Sequence, residues 1–375
     1  MAIAGIIVIL AIVWDAFEAL VLPRTASRRF RPARLFYKVS WPAWTAFACL
    51  LGRGRRRENF LAIFGPLSFL ILMACWAVAL MVGFAMTQWG LGSRLNVPQG
   101  TAGFWADLYM SGTTLFTLGI GDVTPNGAIA RAITVIEAGV GFGFLALVIG
   151  YLPVLYQGFS RREVNISLLD ARAGSPPSAG ELLLRHVGDM AGLETLLRDW
   201  ERWAAELMES HLSYPVLLYF RSQHEHQSWL GALTAVLDAS ALVIVGVEGG
   251  PARQAQLTFA MARHAVVDLA QAAGIAPERP DPDRLPPENF QSLRSHLAQH
   301  GVILKEGAMA ETTLAALRAL YEPYVARLAT RLRLTLPPWR SPADEADNWR
   351  TSAWETGASG NTGLSRHDLG DHPEL

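Results

Sequence analysis

Charged residues are scarce in this sequence, and cysteine is nearly absent. Asp, Glu, Lys and Arg make up 17% of the 375 residues, whereas hydrophobic residues make up 51%. This balance is too apolar for a typical soluble protein and too polar for one that lies wholly in a membrane. The two cysteines, Cys49 and Cys75, lie in apolar stretches without metal-ligand spacing. We therefore expect two small buried side chains and neither a disulfide nor a zinc site.

Several function classes lack their sequence signals. The net charge is -1, and no basic face dominates, which argues against a nucleic-acid partner. The sequence shows no acidic calcium loop, no Gly-x-Gly-x-x-Gly after a strand, no phosphate loop and no nucleophile–base arrangement. No apolar run carries Arg at every third position, as a voltage-sensing helix would. We predict a protein that is not an enzyme and has no catalytic residues, resident cofactor or metal.

The apolar residues concentrate in residues 1–22 and 61–157, while most of the charges lie elsewhere. This split predicts a membrane half followed by a soluble half. Residues 1–22 lack the basic start and cleavage site of a secretory signal, so we expect a retained helix. Residues 59–89 and 128–156 are also long enough to cross a bilayer. The sequence therefore predicts three spans.

A basic segment sets the predicted orientation. Residues 19–57 contain ten basic residues and no acidic one: Arg24, Arg28, Arg29, Arg31, Arg34, Lys38, Arg53, Arg55, Arg56 and Arg57. Positive loops stay on the cytoplasmic side, which predicts an external N-terminus and a cytoplasmic C-terminal domain in a multi-pass cell-membrane protein. Within this segment, residues 40–51 with Trp41 and Trp44 are too short to span. We expect a helix that lies at the inner lipid interface.

The segment between the last two spans contains the motif that carries the function. Residues 104–116 are amphipathic and suit a re-entrant helix. Residues 117–122 read Thr-Leu-Gly-Ile-Gly-Asp. A dehydrated cation needs oxygen ligands, which a ring of backbone carbonyls supplies. Gly119 and Gly121 permit the left-handed conformations that turn successive carbonyls the same way, and Thr117 adds a hydroxyl. The motif therefore predicts a cation path.

This hexamer resembles the selectivity filter of the potassium channel superfamily, whose usual form is Thr-Val-Gly-Tyr-Gly-Asp. The flanking Thr113-Thr114 and Thr124-Pro125 match the signature as well. The resemblance covers residues 61–157 and is to the bacterial two-transmembrane pore type, here with an extra N-terminal span and a C-terminal helical domain. It implies an all-α membrane protein with an outer helix, pore helix, filter and inner helix.

The resemblance also implies the site and the assembly. The ion-binding filter would be Thr117, Leu118, Gly119, Ile120, Gly121 and Asp122, supported by Thr113 and Thr114. One filter per chain implies a homotetramer with potassium as the permeant ion. Ile120 stands where the family commonly has Tyr or Phe, so a poorly selective cation channel is an alternative. Another is a membrane-anchored sensor or scaffold with a non-conducting pore.

The inner helix carries a candidate gate. Gly139, Gly141 and Gly143 predict a hinge, and Pro153 predicts a constriction further along. The alternative is that these small residues permit close helix packing in lipid.

Three carboxylates within the apolar segments also have two interpretations each. Asp15 and Glu18 share a helix face and form either a proton-sensing pair or a water-facing pair with Arg24 or Arg28. Glu137 is either a functional intramembrane carboxylate or the partner of Arg131 or of a filter-supporting hydroxyl.

The chain divides into a membrane helix with its basic segment (1–58), a pore domain (59–162), a cytosolic helical domain (163–333) and a disordered tail (334–375). The cytosolic domain shows helical periodicity over residues 179–187, 193–211, 228–247, 252–273, 287–302 and 308–332. Residues 229–247 are apolar enough for a fourth span, but Asp238 at their midpoint favours a buried core helix.

The cytosolic domain also contains a concentration of polar residues: His211, Arg221, His224, Glu225 and His226, with Asp238 and His264 on later helices. These residues predict either a metal or anion sensor for an unknown ligand, or ordinary surface groups with satisfied hydrogen bonds.

Overall fold

A computed structural model describes residues 1–21, 32–52, 54–92, 94–97, 103–224 and 227–341. These residues form an all-α protein with two short strands. The membrane half contains α1 (Ala2–Leu20), α2 (Pro32–Leu50), α3 (Arg55–Gly90), β1 (Arg94–Asn96), α4 (Phe104–Leu115), β2 (Thr124–Asn126) and α5 (Ala128–Ala173). The soluble half contains α6 (Ala179–Leu184), α7 (Met190–Ser213), a 3-10 helix (Pro215–Tyr219), α8 (Trp229–Gly246), α9 (Ala252–Ala272), α10 (Pro287–Gln299), α11 (Ala308–Ala319) and α12 (Glu322–Leu332).

Four described helices are long and apolar enough to cross a membrane: α1, α3, α5 and α8. The first three are the predicted spans. Helix α8 differs, because residues 229–243 are all buried within the soluble domain. There Asp238 binds Arg284 at 2.7 Å and Tyr321. The prediction that these residues form a buried core helix is confirmed.

Helix α5 is much longer than its apolar segment. It was predicted to end at residue 156, but it continues to Ala173, so the predicted domain boundary at 162/163 lies inside a helix. Ile166, Leu169 and Ala173 on this extension are buried in the core of the soluble domain. The helical repeat of apolar residues thus changes its partner from lipid to protein without a break in the backbone.

Helices α1 and α3 pack closely and run antiparallel. A Cβ atom on Gly5 would lie 2.5 Å from the carbonyl oxygen of Gly83, and one on Gly90 would lie 2.2 Å from the backbone nitrogen of Ala2. Glycine therefore lets the two backbones approach, as at other helix crossings in membranes. Because the start of α1 meets the end of α3, their N-termini lie at opposite ends of the pair.

Helix α2 is amphipathic and longer than the predicted residues 40–51. Trp41, Thr45 and Ala48 are buried, whereas Val39 and Phe47 are exposed. The helix is not among the described helices that are apolar enough to cross a membrane. One apolar face towards lipid and one towards protein is the pattern of a helix at the interface.

The cysteine prediction was wrong about burial. Cys49 on α2 and Cys75 on α3 are both exposed. Their neighbours Ala48 and Trp76 are buried. In each helix the cysteine lies on the face turned away from the protein, where lipid can cover a small apolar side chain.

The predicted helices of the soluble domain are present, with one correction. Residues 308–332 form two helices, because α11 ends at Ala319 and α12 begins at Glu322. Pro323 lies in the first turn of α12, where a helix needs no backbone N–H donor. In the middle of one continuous helix it would remove a hydrogen bond, so the proline favours a new helix start here. Tyr321 is fully buried at the turn and binds Asp238.

The first residues of the predicted disordered tail, 334–341, instead pack against the soluble domain. Residues 342–375 lie outside the described residues. Trp339 is buried, its carbonyl accepts the N–H of Gly180 at 2.9 Å, and its ring lies under the guanidinium groups of Arg284 and Arg318. Residues 334–341 are therefore part of the soluble domain.

Candidate ion-conduction pathway

A half-length helix and an irregular loop lie between α3 and α5. Helix α4 has twelve residues, which gives a length of about 18 Å, too short to cross a bilayer. It packs against both α3 and α5. Strand β1 before α4 pairs with β2 after the loop, with Leu95 opposite Pro125. This small ribbon joins the two ends of the re-entrant segment.

The loop after α4 has alternating left-handed residues. Thr117, Gly119 and Gly121 have φ angles of 58°, 55° and 80°. The sequence predicted this conformation at the two glycines, and the structure has it there. Thr117 was predicted as a site residue for its hydroxyl, but its positive φ was not predicted, because a β-branched residue rarely adopts it. Such strain persists only where surrounding contacts hold it.

Those contacts come from the end of the pore helix α4. The backbone N–H groups of Leu118 and Gly119 both donate to the carbonyl of Thr113, at 2.8 and 3.2 Å, and that of Thr117 donates to Thr114 at 3.0 Å. Thr113 and Thr114 thus support the loop with their carbonyls. The Thr113 hydroxyl instead donates to the Met110 carbonyl at 3.0 Å. With these amides bound to α4, the loop is fixed to a rigid element.

Tyr109 braces the far end of the loop. Its hydroxyl donates to Asp122 at 3.0 Å, and the other oxygen of Asp122 accepts the backbone N–H of Val123 at 2.9 Å. The side chain of Ile120 is 60% exposed within one chain and provides no such support. Tyr109 was not predicted as a site residue. Its signal in the sequence was an aromatic hydroxyl on the amphipathic pore helix.

Glu137 links the inner helix to the pore helix. It is fully buried and hydrogen-bonded to Ser111 of α4, whose hydroxyl also lies 2.8 Å from the Met81 carbonyl of α3. Arg131 lies elsewhere, with Nε 3.4 Å from the Pro125 carbonyl. Of the alternatives for Glu137, the structure therefore has the hydroxyl on the pore helix and not the arginine.

The candidate hinge glycines have different surroundings. A Cβ atom on Gly141 would lie 2.1 Å from the carbonyl oxygen of Leu115, the last residue of the pore helix. Cβ atoms on Gly139 and Gly143 would meet nothing within 4 Å in the described part of the chain. Gly141 thus lets α5 pack closely against the end of α4, beside the loop of residues 117–122.

The carboxylates of α1 are buried, which contradicts one of their two interpretations, that of a water-facing pair. Asp15 accepts the backbone N–H of Ala33 and the indole N–H of Trp76, both at 3.0 Å. Glu18 accepts the indole N–H of Trp14 at 2.8 Å. Asp15 therefore lies at the N-terminus of α2, where the helix dipole favours a negative charge. Arg24 and Arg28, the proposed partners, lie outside the described residues.

Buried polar contacts join α5 to the soluble domain. Arg162 donates to the carbonyls of Leu217 and Phe220, at 3.0 and 2.9 Å, and lies 3.2 Å from Nε2 of His211. It also pairs with Glu163 at 2.8 Å. A buried guanidinium with this many partners holds the C-terminal part of α5 against the soluble domain.

A second junction joins the soluble domain to the other membrane helices. Arg221 pairs with Glu58 of α3 at 2.9 Å and donates to the carbonyl of Leu332 at 2.8 Å. Trp41 of α2 donates its indole N–H to the carbonyl of Arg331 at 2.8 Å. The interfacial helix, the start of α3 and the end of α12 therefore meet at one place.

The predicted polar cluster of the soluble domain is not assembled. His211 contacts Arg162, Arg221 contacts Glu58, and Asp238 contacts Arg284. His264 lies 3.4 Å from Asp268, and His224 is exposed, while Glu225 and His226 lie outside the described residues. No three His, Cys, Asp or Glu side chains in the described ranges are placed to hold a metal ion. Burial, helped by the positive charge of Arg162, holds the pKa of His211 well below its ordinary value.

These observations define an all-α membrane protein with a channel-type pore domain. Residues 67–157, which run from α3 through α4 and the loop of residues 117–122 to α5, match the model of a family described as "Ion channel". The chain is also 24% identical over 256 residues to the uncharacterized membrane protein YdjJ of Bacillus subtilis (strain 168). This match covers 64% of this chain and 73% of YdjJ. No solved structure matches the chain.

Proposed function

We propose that the chain is one subunit of a homotetrameric channel that conducts potassium passively across the cell membrane. The observation that carries this proposal is the loop of residues 117–122. Its alternating left-handed residues and the hydrogen bonds that its backbone N–H groups donate to α4 leave a run of backbone carbonyls for a cation path. Carbonyl oxygens in such a run replace the hydration shell of a potassium ion. The process involves no covalent chemistry.

The homotetramer follows from the single filter in the chain. One chain supplies one quadrant of carbonyls, and closed symmetry completes the ring. The surface of α5 supports this assembly, because only 11% of its most apolar stretch is buried within one chain. Phe142, Leu145 and Ile149 are exposed there. In the tetramer, part of this surface would contact neighbouring subunits and part would face the pore.

Potassium selectivity depends on how well the filter is held. The hydrogen bond from Tyr109 to Asp122 favours a braced filter. Ile120, which lacks a ring and a hydroxyl, favours the alternative of a poorly selective cation channel. We propose the selective channel, because the loop is tied to the pore helix at its start and braced at its end.

The basic residues of the first 57 positions favour an external N-terminus and a cytoplasmic soluble domain. In this orientation α2 lies at the inner lipid interface, and α5 leaves the membrane to enter the domain. A conformational change in the domain would then act directly on the inner helix, because Arg162 couples the two. Gly139, Gly143 and Pro153 are the residues through which we expect α5 to respond.

Ion flux tests conduction through this filter. Purified protein is reconstituted in liposomes, and potassium-driven flux is compared with that of a Gly119→Ala variant. We expect flux in the wild type and none in the variant, because alanine is strained at φ 55°. Equal flux in both would mean that ions cross elsewhere. No flux in either would favour a membrane-anchored sensor or scaffold with a non-conducting pore.

A further inference from the structure

A large cavity lies where the membrane helices meet the soluble domain. Its volume is about 880 Å³, within the range of about 300–1,000 Å³ typical of ligand sites. Its walls come from the end of α1, from α2, α3 and α5, from the 3-10 helix, and from α9 and α12. This cavity is distinct from the filter and has no part in ion conduction as proposed above.

Basic side chains dominate the charge of the cavity. Arg34, Lys38, Arg327, Arg331 and Arg333 line it, against a single carboxylate, Glu18. Arg34 and Lys38 lie one turn apart on α2, and Arg327 and Arg331 lie one turn apart on α12, so each helix turns a pair of cations to the same side. Arg327 pairs with Glu278 at 2.8 Å. The other four cations form no ion pair with a described residue.

The remaining lining is apolar and aromatic. Phe69, Met73 and Trp76 of α3 line the cavity together with Tyr151 of α5 and Val216 of the 3-10 helix. These side chains belong to the hydrophobic cluster between the membrane helices and the domain. One side of the cavity therefore suits hydrocarbon, while the other suits an anion. A soluble anion would leave the apolar side unused.

The position of the cavity points to the source of such a molecule. Helix α2 forms one wall, and its opposite face carries the exposed Leu35, Val39 and Phe47, as expected for a helix at the lipid interface. We propose that this cavity binds an anionic phospholipid of the cytoplasmic leaflet. The phosphate lies against Arg34, Lys38 and Arg331, and the acyl chains lie against Phe69 and Trp76. Basic pockets between membrane helices are known to take such headgroups.

A bound lipid would contact the interfacial helix, the two pore spans and α12 at once. Three of these elements, α2, α3 and α12, are also joined by the ion pair of Arg221 with Glu58 and by the hydrogen bonds that Arg221 and Trp41 donate to α12. The lipid would therefore stabilise the arrangement in which the soluble domain is docked on the membrane helices. Loss of the lipid would weaken that docking.

Lipid binding is measured on the full chain in detergent, by titration with phosphatidylglycerol and counting of bound lipid by native mass spectrometry. Two variants remove two charges each from different parts of the cavity wall: Arg34→Gln/Lys38→Gln on α2, and Arg331→Gln/Arg333→Gln at and just after the end of α12. The matched control is Arg198→Gln/Arg253→Gln, on exposed positions of α7 and α9 that do not line the cavity.

We expect each cavity variant to weaken phosphatidylglycerol binding about 25-fold, because each of its two basic residues contributes about fivefold near an anionic headgroup. The control should bind like the wild type, and phosphatidylcholine should bind weakly. Equal binding of the two lipids, or equal binding by cavity variants and control, would overturn the proposal. Displacement of the lipid by glycerol phosphate at comparable concentration would also overturn it, since it would identify a soluble phosphate ligand. Binding is read without ion flux, so a failed conduction experiment leaves this result independent.

Discussion

At the scale of single residues, the hydroxyl of Ser111 constrains the state of Glu137. A hydroxyl has one hydrogen to donate, yet Ser111 Oγ lies within hydrogen-bond distance of two acceptors, the Met81 carbonyl and the Glu137 carboxyl. Both contacts are satisfied only if Ser111 donates to Met81 and a protonated Glu137 donates to Ser111. Glu137 is also fully buried, and none of the described cations forms an ion pair with it, which favours a neutral acid.

A neutral Glu137 predicts that Glu137→Gln is tolerated. The amide can donate to Ser111 as the acid does, so the variant should retain flux and lose less than about 1 kcal/mol of stability. Glu137→Ala should cost about 2–4 kcal/mol, because it leaves a cavity and an unpaired hydroxyl between the helices. Thermal denaturation of the assembled protein measures both. If the glutamine variant were as unstable as the alanine variant, the carboxyl would be acting as an anion.

The conformation of the filter could be predicted from its residues, but its bracing could not. Gly119 and Gly121 indicated positive φ because only glycine adopts it at low cost. Tyr109 is thirteen residues before Asp122, and nothing in the sequence states that the pore helix brings the two together. Long-range pairs of this kind depend on how elements pack and not on local preference.

At the scale of elements, the contact between α5 and α4 depends on a missing side chain. Gly141 lets the inner helix touch the Leu115 carbonyl, two residues before Thr117. We expect Gly141→Ala to displace the end of the pore helix and to reduce flux at least tenfold. Gly143→Ala, where a Cβ meets nothing within 4 Å, should have a smaller effect. Liposome flux at equal protein content compares the two variants.

A larger loss in Gly143→Ala than in Gly141→Ala would contradict this account. It would show that bending of α5, and not its packing on the pore helix, limits conduction.

The length of α5 was underestimated for a physical reason. Its apolar face continues through Ile166 and Leu169, but basic residues at 161 and 162 mark the membrane boundary. Two adjacent basic residues indicate the end of a membrane span but give no information about where the helix itself ends. Pro323, by contrast, was a readable signal that residues 308–332 form two helices.

At the scale of the whole molecule, the soluble domain is held to the membrane helices by groups that sequence analysis had placed in a sensor cluster. His211 and Arg162 lie 49 residues apart in the chain but 3.2 Å apart in space. Proximity in sequence had grouped His211 with His224, whereas in the fold His211 is buried against Arg162 and His224 is exposed. The composition of a segment shows which groups are present, and only the packing of helices decides their partners.

The burial of His211 predicts how stability depends on pH. Its pKa is lowered in the folded state, so below about pH 6.5 the unfolded chain binds a proton that the folded chain does not. Stability is therefore lost as the pH falls below that value. Between pH 7.5 and 5.5 we expect His211 to account for about 1 kcal/mol of lost stability.

Denaturant titrations followed by tryptophan fluorescence measure this effect at the two pH values. His211→Gln should show a smaller loss than the wild type, and His224→Gln, at an exposed position, should behave like the wild type. An unchanged pH dependence in His211→Gln would show that His211 does not remain neutral in the folded domain.

The central claim is that the loop of residues 117–122 conducts potassium selectively. The most direct test is the reversal potential of the purified channel in a planar bilayer, with potassium on one side and sodium on the other at equal concentration. The account predicts a reversal potential far from zero, with the sign set by potassium permeation. A reversal potential near zero would contradict selectivity and identify a poorly selective cation channel.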